Sequence, residues 1–274
     1  MNIDLNIHTD LARKILTGFI KSEITRFGFT RAVIGLSGGI DSALSCALAA
    51  EALGPDNVLA IRMPYKSSSA DSLEDAEKTA TRFGVRMETI EITPIVEPMI
   101  QLDPQISNLR KGNLMARTRM IVLYDQSEVF KGLVVGTSNK TETLLGYTTL
   151  WGDMASALNP LGDLYKAQVR QLSRAMNVPS SVIDKAPSAD LWKGQTDEGE
   201  LGFTYAEVDK LLYLLVDRRY SVEDCIASGF SQEFVNQVVE RIRRSQYKRM
   251  IPPIAKLSNR TIGYDFLYIR DWGT

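Results

Sequence analysis

One short string, Ser37-Gly38-Gly39-Ile40-Asp41-Ser42, carries most of the residues suited to chemistry. It follows the apolar run 32–36 and precedes the alanine-rich segment 43–53, so the pattern predicts a strand, a loop and a helix. Glycines let a loop approach a ligand closely, and the amides at a helix start donate to an oxyanion. The two serine hydroxyls add further donors. The string therefore predicts a phosphate-binding loop.

Asp41 is the unexpected residue of this loop, because a carboxylate repels phosphate. It fits if it binds the Mg²⁺ that accompanies nucleotide phosphates. The alternative is a tight strand-to-helix turn in which Asp41 caps the helix. The loop by itself leaves both interpretations open.

Several common catalytic and nucleotide-binding patterns are absent from the sequence. It contains no Gly-x4-Gly-Lys-Ser/Thr, which excludes a P-loop NTPase, and no Gly-x-Gly-x-x-Gly after a strand to support a dehydrogenase. The single histidine is His8, and Cys46 and Cys225 lie far apart. A Ser-His-Asp or Cys-His catalytic group and a cysteine zinc site are therefore excluded, and we expect both cysteines to be buried. The chemistry must use carboxylates, lysine, arginine, hydroxyls, backbone amides and hard cations.

Composition limits the class of protein further. The chain has 274 residues, of which 44% are hydrophobic and 24% charged, enough for a sizeable core. Its formal net charge of −1 shows no basic excess, so we expect no nucleic-acid partner. No apolar run has the length of a membrane span, and the first residues lack a signal-peptide pattern. We therefore expect a cytoplasmic protein with no membrane partner.

Strand-like and helical patterns alternate around the phosphate loop. Strands are predicted at 32–36, 58–63, 85–92 and 132–136. Helices are predicted at 43–53, at 68–83 with Ser69 or Asp71 as cap, and at 113–130 after Gly112. This alternation predicts an α/β fold with a parallel sheet and helices on both faces.

We predict one domain, 1–274, with four parts. These are an N-terminal helix in 1–30, a nucleotide-binding sheet in 31–165, a helical part in 166–250 and a C-terminal tail in 251–274. The first helix is predicted to bury Leu11, Ile15, Phe19 and Ile24, which recur at helical spacing. The tail carries Tyr264, Phe266, Tyr268 and Trp272, and we expect it to lie over a neighbouring surface.

The loop resembles the pyrophosphate loop of the N-type ATP pyrophosphatases, which adenylate a substrate and release pyrophosphate. Further segments between about residue 10 and residue 252 resemble one family of that group, the NAD synthetases. These segments are Met63-Pro64-Tyr65, 112–120, 136–147, 160–166, 187–191 and 196–202. The resemblance covers nearly the whole chain, and several such blocks in the same order are highly specific.

The resemblance implies a Rossmann-like, doubly wound fold with a five-stranded sheet of order 3-2-1-4-5 and a mostly helical C-terminal part. It implies ATP-dependent amidation of deamido-NAD⁺ with ammonia through an acyl-adenylate, releasing AMP and pyrophosphate. It also implies Mg²⁺ as cofactor and a homodimer. The alternatives are another adenylating enzyme with this loop, such as a tRNA thiolase or another carboxylate amidase, and a nucleotide-binding module without turnover.

The resemblance also implies roles for individual residues. ATP is expected to contact Gly35, Leu36, Ser37, Gly38, Gly39, Ile40, Asp41, Ser42, Thr137, Lys166 and Ser188. Asp41 and Glu142 are expected to hold Mg²⁺, and Arg117 and Lys248 to bind the dinucleotide. Lys166, which stabilises charge at the α-phosphate, and Asp153, which receives ammonium, are expected to be catalytic.

Simpler interpretations of four of these residues stay open. Glu142 fits a solvated acid at a helix start, and Lys166 fits a lysine on a helix surface. Ser188 fits a turn residue. Lys248 fits a basic residue that favours a helix C-terminus. Arg119 is assigned a structural or interfacial role, because it points away from the face shared by Asn113 and Arg117.

The source of nitrogen is the last expectation. About thirty residues precede the first strand, too few for a glutaminase domain, so we expect the chain to use free ammonia. Leu150 and Ala157 depart from the ammonia-dependent bacterial members, which have Lys and Asp there. These positions resemble the synthetase domain of glutamine-dependent members. A separate glutaminase subunit that delivers ammonia is therefore an alternative.

Overall fold

A four-stranded parallel sheet forms the centre of the computed structural model, which describes residues 3–188, 190–192, 194–263 and 265. The strands are β1 (Ala32–Gly35), β2 (Val58–Arg62), β3 (Arg86–Thr89) and β4 (Leu133–Val135). They pair in the order β3-β2-β1-β4, and Ala32 of β1 stands opposite Val58 and Leu133. β1 and β2 are largely buried, as strands covered on both faces must be, and β3 forms a more exposed edge.

The prediction of five strands was wrong for the described residues, whereas the order 3-2-1-4 was confirmed. In place of a fifth strand, Leu158 forms a single parallel bridge to Val135. The Gly136 amide donates to the Leu158 carbonyl at 2.8 Å, and the Ala157 amide donates to the Val134 carbonyl at 2.9 Å. The ladder stops there because Pro160 has no amide hydrogen to donate. The segment also lacks the β-branched residues that favour a strand.

The described part of the chain contains twelve α-helices. Those of the first two thirds are α1 (Thr9–Arg26), α2 (Ile40–Leu53), α3 (Ala70–Phe83), α4 (Thr93–Gln101), α5 (Asn108–Phe130), α6 (Lys140–Leu145), α7 (Lys166–Ala175) and α8 (Ser180–Asp184). Those of the helical part are α9 (Asp197–Leu201), α10 (Tyr205–Leu212), α11 (Val222–Ala227) and α12 (Gln232–Arg244). A π turn, Tyr213–Asp217, follows α10, and 3₁₀ turns span Pro55–Asn57 and Gln246–Arg249.

The sheet buries a separate core on each face. On one side Ile34 and its neighbours pack with α1, α2, α3, α7 and α8. On the other side Val33 and Ile61 pack against α4 and α5, where Val96 and Met115 are buried. Successive strand residues point to opposite faces, so Val33 and Ile34 serve different cores. The predicted doubly covered sheet is therefore confirmed.

The helical part has its own core, which is attached to the sheet domain beside α6 and α7. Val208, Leu211 and Leu212 of α10 are fully buried, as are Val235 and Val238 of α12. Leu145 of α6 and Tyr165, the residue before α7, belong to the same cluster. The starts of α6 and α7 are thus held between the sheet and the helical part.

Two helices differ from the sequence predictions. Of the four α1 residues predicted to be buried, Ile24 is buried, but Leu11, Ile15 and Phe19 are exposed. Ile20 is buried beside Ile24, because α1 packs on α2 and α7 through that side. Helix α5 begins five residues earlier than predicted, at Asn108, where the Ser107 hydroxyl accepts the Arg110 amide. For α3, the Ser69 cap was confirmed, since its hydroxyl accepts the Ser72 amide.

No helix in the described ranges is both long and apolar enough to cross a membrane. The tail aromatics Tyr264, Phe266, Tyr268 and Trp272 lie outside the described residues, so the predicted course of the tail has no structural counterpart here.

Candidate active site

A cavity of about 340 Å³ opens at the carboxyl ends of β1, β2 and β4. The chain crosses from β1 to β2 on one side and returns to β4 on the other, so the cavity lies at the switch point where open α/β sheets bind ligands. The predicted site residues that line it are Gly35, Leu36, Ser37, Gly38, Gly39, Ile40, Asp41, Ser42, Thr137, Glu142, Asp153, Lys166 and Ser188. The predicted adenine-pocket segment Ile61-Arg62-Met63 lines it as well.

The phosphate loop is tightly folded on itself. Gly38 has a φ of +82°, and a Cβ there would lie 2.1 Å from the carbonyl oxygen of Ser72. The Ser42 hydroxyl donates to the Gly39 carbonyl at 2.9 Å and accepts the Ser37 amide at 3.2 Å. Only glycine fits at position 38, because both the left-handed conformation and the close backbone exclude a side chain. The start of α2 thereby faces the cavity.

Three charged side chains meet beside this loop. The Lys166 Nζ lies 2.5 Å from Asp41 Oδ2 and 3.1 Å from Glu142 Oε1. The lysine side chain is 3% exposed, so it is not a surface helix lysine. Asp41 comes from α2, Glu142 from α6 and Lys166 from α7. With all three side chains ionised the group carries a net charge of −1, because one ammonium is shared by two carboxylates.

Asn139 orients both carboxylates, although sequence reasoning did not select it. Its side-chain amide donates to Asp41 Oδ1 at 2.8 Å, and its oxygen accepts the Glu142 amide at 2.9 Å. The Glu142 carboxylate in turn accepts the Asn139 amide, which completes a capping box at the start of α6. Asp41 does not cap α2, because its two oxygens face Asn139 and Lys166. The signal available in the sequence was the spacing of Asn139 and Glu142, because an Asn three residues before a Glu is typical of a capping box.

Burial and mutual charge shift the ionisation of this group. Burial disfavours the charged form of Lys166, but Asp41 and Glu142 outweigh it and raise the pKa of the lysine. Burial also raises the pKa of Glu142 to about 8, with Asp41 adding to the shift and Lys166 opposing it. The excess of one negative charge in a buried place explains why one carboxylate holds a proton more tightly than usual.

A further carboxylate, that of Asp197, lies near Lys166, and Tyr205 contacts both residues. The Lys166 Nζ is 5.1 Å from the centre of the Tyr205 ring, and the Tyr205 hydroxyl donates to Asp197 Oδ2 at 3.1 Å. The Tyr147 hydroxyl donates to the other oxygen of Asp197 at 3.2 Å. Burial raises the pKa of Asp197, and Lys166 opposes that shift. Asp197 lines the cavity, and its signal in the sequence was the Thr196-Asp197-Glu198 block.

Lys185 is another cation at the cavity that sequence reasoning missed. Its Nζ lies 3.0 Å from the Ser72 hydroxyl and 3.2 Å from Asp75 Oδ2, on the α3 side of the phosphate loop. Lys185 lines the cavity. The Ser181 hydroxyl donates to the same carboxylate of Asp75. No spacing signal marked Lys185, because the contact joins residues more than a hundred positions apart.

Asp153 and Ser188 line the cavity but already have partners within their own loops. Asp153 Oδ1 accepts the Thr149 amide at 2.5 Å. The Ser188 hydroxyl donates to the Gln195 carbonyl at 2.8 Å and accepts the Asp190 amide at 3.1 Å. The Ser188 hydroxyl therefore makes both of these contacts within its own loop, and its predicted contact with ATP stays a prediction.

Arg117 and Lys248 are not among the described residues that line the cavity. The Arg117 Nε donates to the Leu150 carbonyl at 3.3 Å, and Lys248 Nζ donates to the Gly146 and Thr148 carbonyls at 2.7 Å each. Lys248 thus contacts the chain just after α6 rather than the end of its own helix, and its predicted role in binding the dinucleotide stays a prediction. Arg119 does line the cavity, where its Nε donates to the Met63 carbonyl at 3.2 Å.

The cavity thus combines a glycine-rich loop at the start of a helix with a buried lysine and two facing carboxylates. A family model described as NAD synthase matches residues 12–252. The chain belongs to the NAD synthase family. An NH3-dependent NAD⁺ synthetase from Trichlorobacter lovleyi is 58% identical over 269 residues, which cover 98% of each chain.

Two solved structures extend the comparison with the NAD synthase family. The NH3-dependent NAD synthetase from Campylobacter jejuni, solved with a nitrate ion, has a TM-score of 0.79 at 31% identity, over 91% of this chain and 100% of that chain. An NMN synthetase from Francisella tularensis has a TM-score of 0.82 at 31% identity, over 92% of this chain and 100% of that chain. The fold is therefore shared with enzymes named for two different nucleotides.

The ionisation of Glu142 predicts how stability depends on pH. The folded protein holds the Glu142 proton more tightly than the unfolded chain, so Glu142 contributes stability that is lost as pH rises from its ordinary pKa of 4.5 to about 8. Glu142→Gln cannot lose that proton. With EDTA and no nucleotide, the variant is expected to unfold a few degrees above the wild type at pH 8.5 and close to it at pH 5.

Glu223→Gln, at the exposed start of α11, serves as the control and should follow the wild type at both pH values. Thermal unfolding followed by circular dichroism measures the difference. A Glu142→Gln variant that loses stability at pH 8.5 relative to pH 5 more steeply than the wild type would contradict the assigned shift.

Proposed function

We propose that this protein makes NAD⁺ from deamido-NAD⁺, ATP and ammonia, at the cavity between β1 and β4. The observation that carries the proposal is the group formed by Lys166, Asp41 and Glu142 beside the phosphate loop. Membership of the NAD synthase family and the high identity to named NH3-dependent NAD⁺ synthetases support the same activity.

The reaction has two stages, and the chain supplies a group for each. The nicotinate carboxylate attacks the α-phosphorus of ATP, and pyrophosphate leaves into the loop 37–42. Ammonia then attacks the acyl carbon of the adenylate, so that AMP leaves and NAD⁺ forms. Lys166 stabilises the charge that develops at the α-phosphate, and the amides at the start of α2 receive the pyrophosphate. Asp153 is proposed to hold the incoming ammonium.

Mg²⁺ is the proposed cofactor, with Asp41 and Glu142 as its protein ligands. The described residues contain no cluster of three metal-ligating side chains, so a cation here needs further oxygen ligands from the substrate. That donor set fits Mg²⁺, which usually binds one or two carboxylates together with phosphates and water. When bound, the cation neutralises phosphate charge. Because Asp41 and Glu142 would then bind the cation, Lys166 would be released from both carboxylates and could contact the α-phosphate.

The dinucleotide contacts are proposed for Arg117 and Lys248, and the ATP contacts for the loop 37–42, Thr137 and Ser188. Arg119 and Lys185 join this set because both line the cavity as cations. Arg117 lies on the outer face of α5, where a second copy of the chain would bring it close to bound substrate.

A homodimer through α5 is the proposed assembly. Arg117, Ile121 and Tyr124 share one face of α5, and Ile121 and Tyr124 are exposed there. Met99 of α4 and Leu102, the residue after α4, are also exposed apolar residues. Exposed apolar residues grouped in this way are typical of protein–protein interfaces, and a second copy presents the same residues.

Ile121→Asp is expected to convert the dimer into a monomer, because it places a charge at the centre of that face. Ile15→Asp is the matched control, since Ile15 is equally exposed, 59% against 60%, but lies on α1 on the other side of the sheet. Sedimentation velocity measures the assembly. A monomeric wild type, or dissociation by Ile15→Asp alone, would overturn the proposed interface.

A direct assay tests the function. With ATP, Mg²⁺ and ammonium, deamido-NAD⁺ should yield NAD⁺, AMP and pyrophosphate in equal amounts, at a rate that rises with pH as the NH3 fraction grows. Nicotinate mononucleotide is the competing substrate, because one structural relative is named an NMN synthetase. We expect kcat/KM for deamido-NAD⁺ to be at least about 10-fold higher. A preference for the mononucleotide would reassign the substrate.

Glutamine in place of ammonium should leave the purified chain nearly silent. Both cysteines are buried, and burial raises the pKa of the Cys46 thiol to about 12 and that of Cys225 above its ordinary value. A glutaminase needs a reactive thiolate, which neither provides. A separate glutaminase subunit remains the alternative source of ammonia. NAD⁺ formation from ammonia-free glutamine by the pure chain would contradict this proposal.

Lys166→Met tests the role of the lysine. If Lys166 acts on charge that develops during the reaction, the variant should lose about 100-fold to 1000-fold in kcat with little change in ATP affinity. Lys140→Met is the control, because Lys140 is a half-buried lysine that pairs with Asp163 and Asp217. Steady-state kinetics and calorimetry separate the two effects. Loss of ATP binding with kcat preserved would mean that Lys166 only holds the ground state.

A further inference from the structure

Asp209 is a fully buried carboxylate that the proposed reaction does not use. It lies on α10, in the helical part, and it is not among the described residues that line the cavity. It makes no ion pair with any described residue, and Val208, Leu211 and Leu212 around it on α10 are apolar and fully buried. A buried charge without an ion partner costs stability, and an apolar residue would serve packing better. Its presence calls for another explanation.

The two oxygens of Asp209 bind two different helices of the site. Oδ1 accepts the Thr141 hydroxyl at 2.6 Å, and Oδ2 accepts the Ala167 amide at 2.8 Å. The Thr141 hydroxyl oxygen also accepts the Lys166 amide at 3.0 Å. Asp209, Thr141, Lys166 and Ala167 thereby form a closed ring of hydrogen bonds. Thr141 directly precedes Glu142 in α6, and Lys166 is the first residue of α7.

The ring fixes the backbone from which the two site side chains project. The first amides of a helix have no partner within it, and in α7 those of Lys166 and Ala167 are taken by Thr141 and Asp209. A negative charge at this end also favours the helix dipole. Charge-assisted hydrogen bonds are short and directional, so one carboxylate sets the position of α6 relative to α7.

We propose that Asp209 is a positioning residue for adenylation, because it holds the starts of α6 and α7 together so that Glu142 and Lys166 both face Asp41. The role rests on the proposed function of the cavity. Asp209 touches neither substrate nor the reacting atoms, and it acts through Thr141 and the α7 backbone. A shift of about 1 Å in a catalytic group can reduce the rate about 100-fold, so such a tie has a measurable effect.

Substitutions at Asp209 test the proposal. Asp209→Leu removes both acceptors at similar volume and should lower kcat about 100-fold while KM for ATP changes less than about 3-fold. Asp209→Asn keeps one acceptor and should recover part of that loss. Asn has nearly the same shape as Asp, so the Asn variant is expected to fold.

Substitutions at Thr141 provide a second test of the proposal. Thr141→Val removes the hydroxyl and should lower kcat in the same way, whereas Thr141→Ser should remain close to the wild type. The double variant of Asp209→Leu with Thr141→Val should be no slower than the slower single variant, because both break one ring. Val208→Ala is the control, since it opens the same core and lowers the unfolding temperature without touching the ring.

Amide hydrogen exchange gives a readout that does not depend on turnover. Exchange in peptides covering 140–145 and 166–170 should rise at least about 10-fold in Asp209→Leu and stay unchanged in Val208→Ala. Asp209→Leu with kcat within about 3-fold of the wild type, or a kcat loss equal to that of Val208→Ala, would overturn the role. An inactive wild type would instead refute the proposed function. If amide hydrogen exchange were also unchanged in Asp209→Leu, Asp209 would not hold the starts of α6 and α7 together either.

Discussion

The structure depends on one buried lysine that is shared by two carboxylates. Lys166, Asp41 and Glu142 come from three helices, and Asp41 lies 125 residues before Lys166. The single ammonium of Lys166 cannot neutralise both carboxylates. A net charge of −1 in a buried place is unfavourable unless a cation joins it. The same excess that destabilises the free protein favours a divalent cation with its phosphates. This is the physical reason for proposing a Mg²⁺–ATP site here.

The fold brings these charges together by ordinary means. Parallel strands direct the following helices to the same edge of the sheet, so α2 and α6 begin side by side after β1 and β4. Asn139 then joins Asp41 to Glu142 through one side-chain amide. The helical part completes the arrangement from behind, since Tyr205 and Asp197 flank Lys166 and Asp209 binds the starts of α6 and α7. The core of the helical part therefore supports the site as well as the fold.

Local sequence patterns predicted the parts of this account that depend on neighbours in the chain. The strand, loop and helix around Gly38, the parallel sheet and the Ser69 cap all follow from residue type and spacing. Contacts between distant segments could not be predicted in that way, and Lys185 and Asp209 are examples, because their partners lie tens to more than a hundred residues away. The prediction that Leu11, Ile15 and Phe19 of α1 are buried was wrong for a related reason. Both sides of α1 carry apolar residues, and only the position of α2 and α7 decides which side is buried.

On nucleotide binding, Asp41 and Glu142 are proposed to exchange Lys166 for a cation. A crystal structure with Mg²⁺ and an ATP analogue that has a methylene group between the α- and β-phosphates tests this directly. We expect both carboxylates, or waters bound to them, to contact the cation and Lys166 Nζ to lie within hydrogen-bond distance of an α-phosphate oxygen. Lys166 still paired with both carboxylates, with the cation held by other residues, would contradict it.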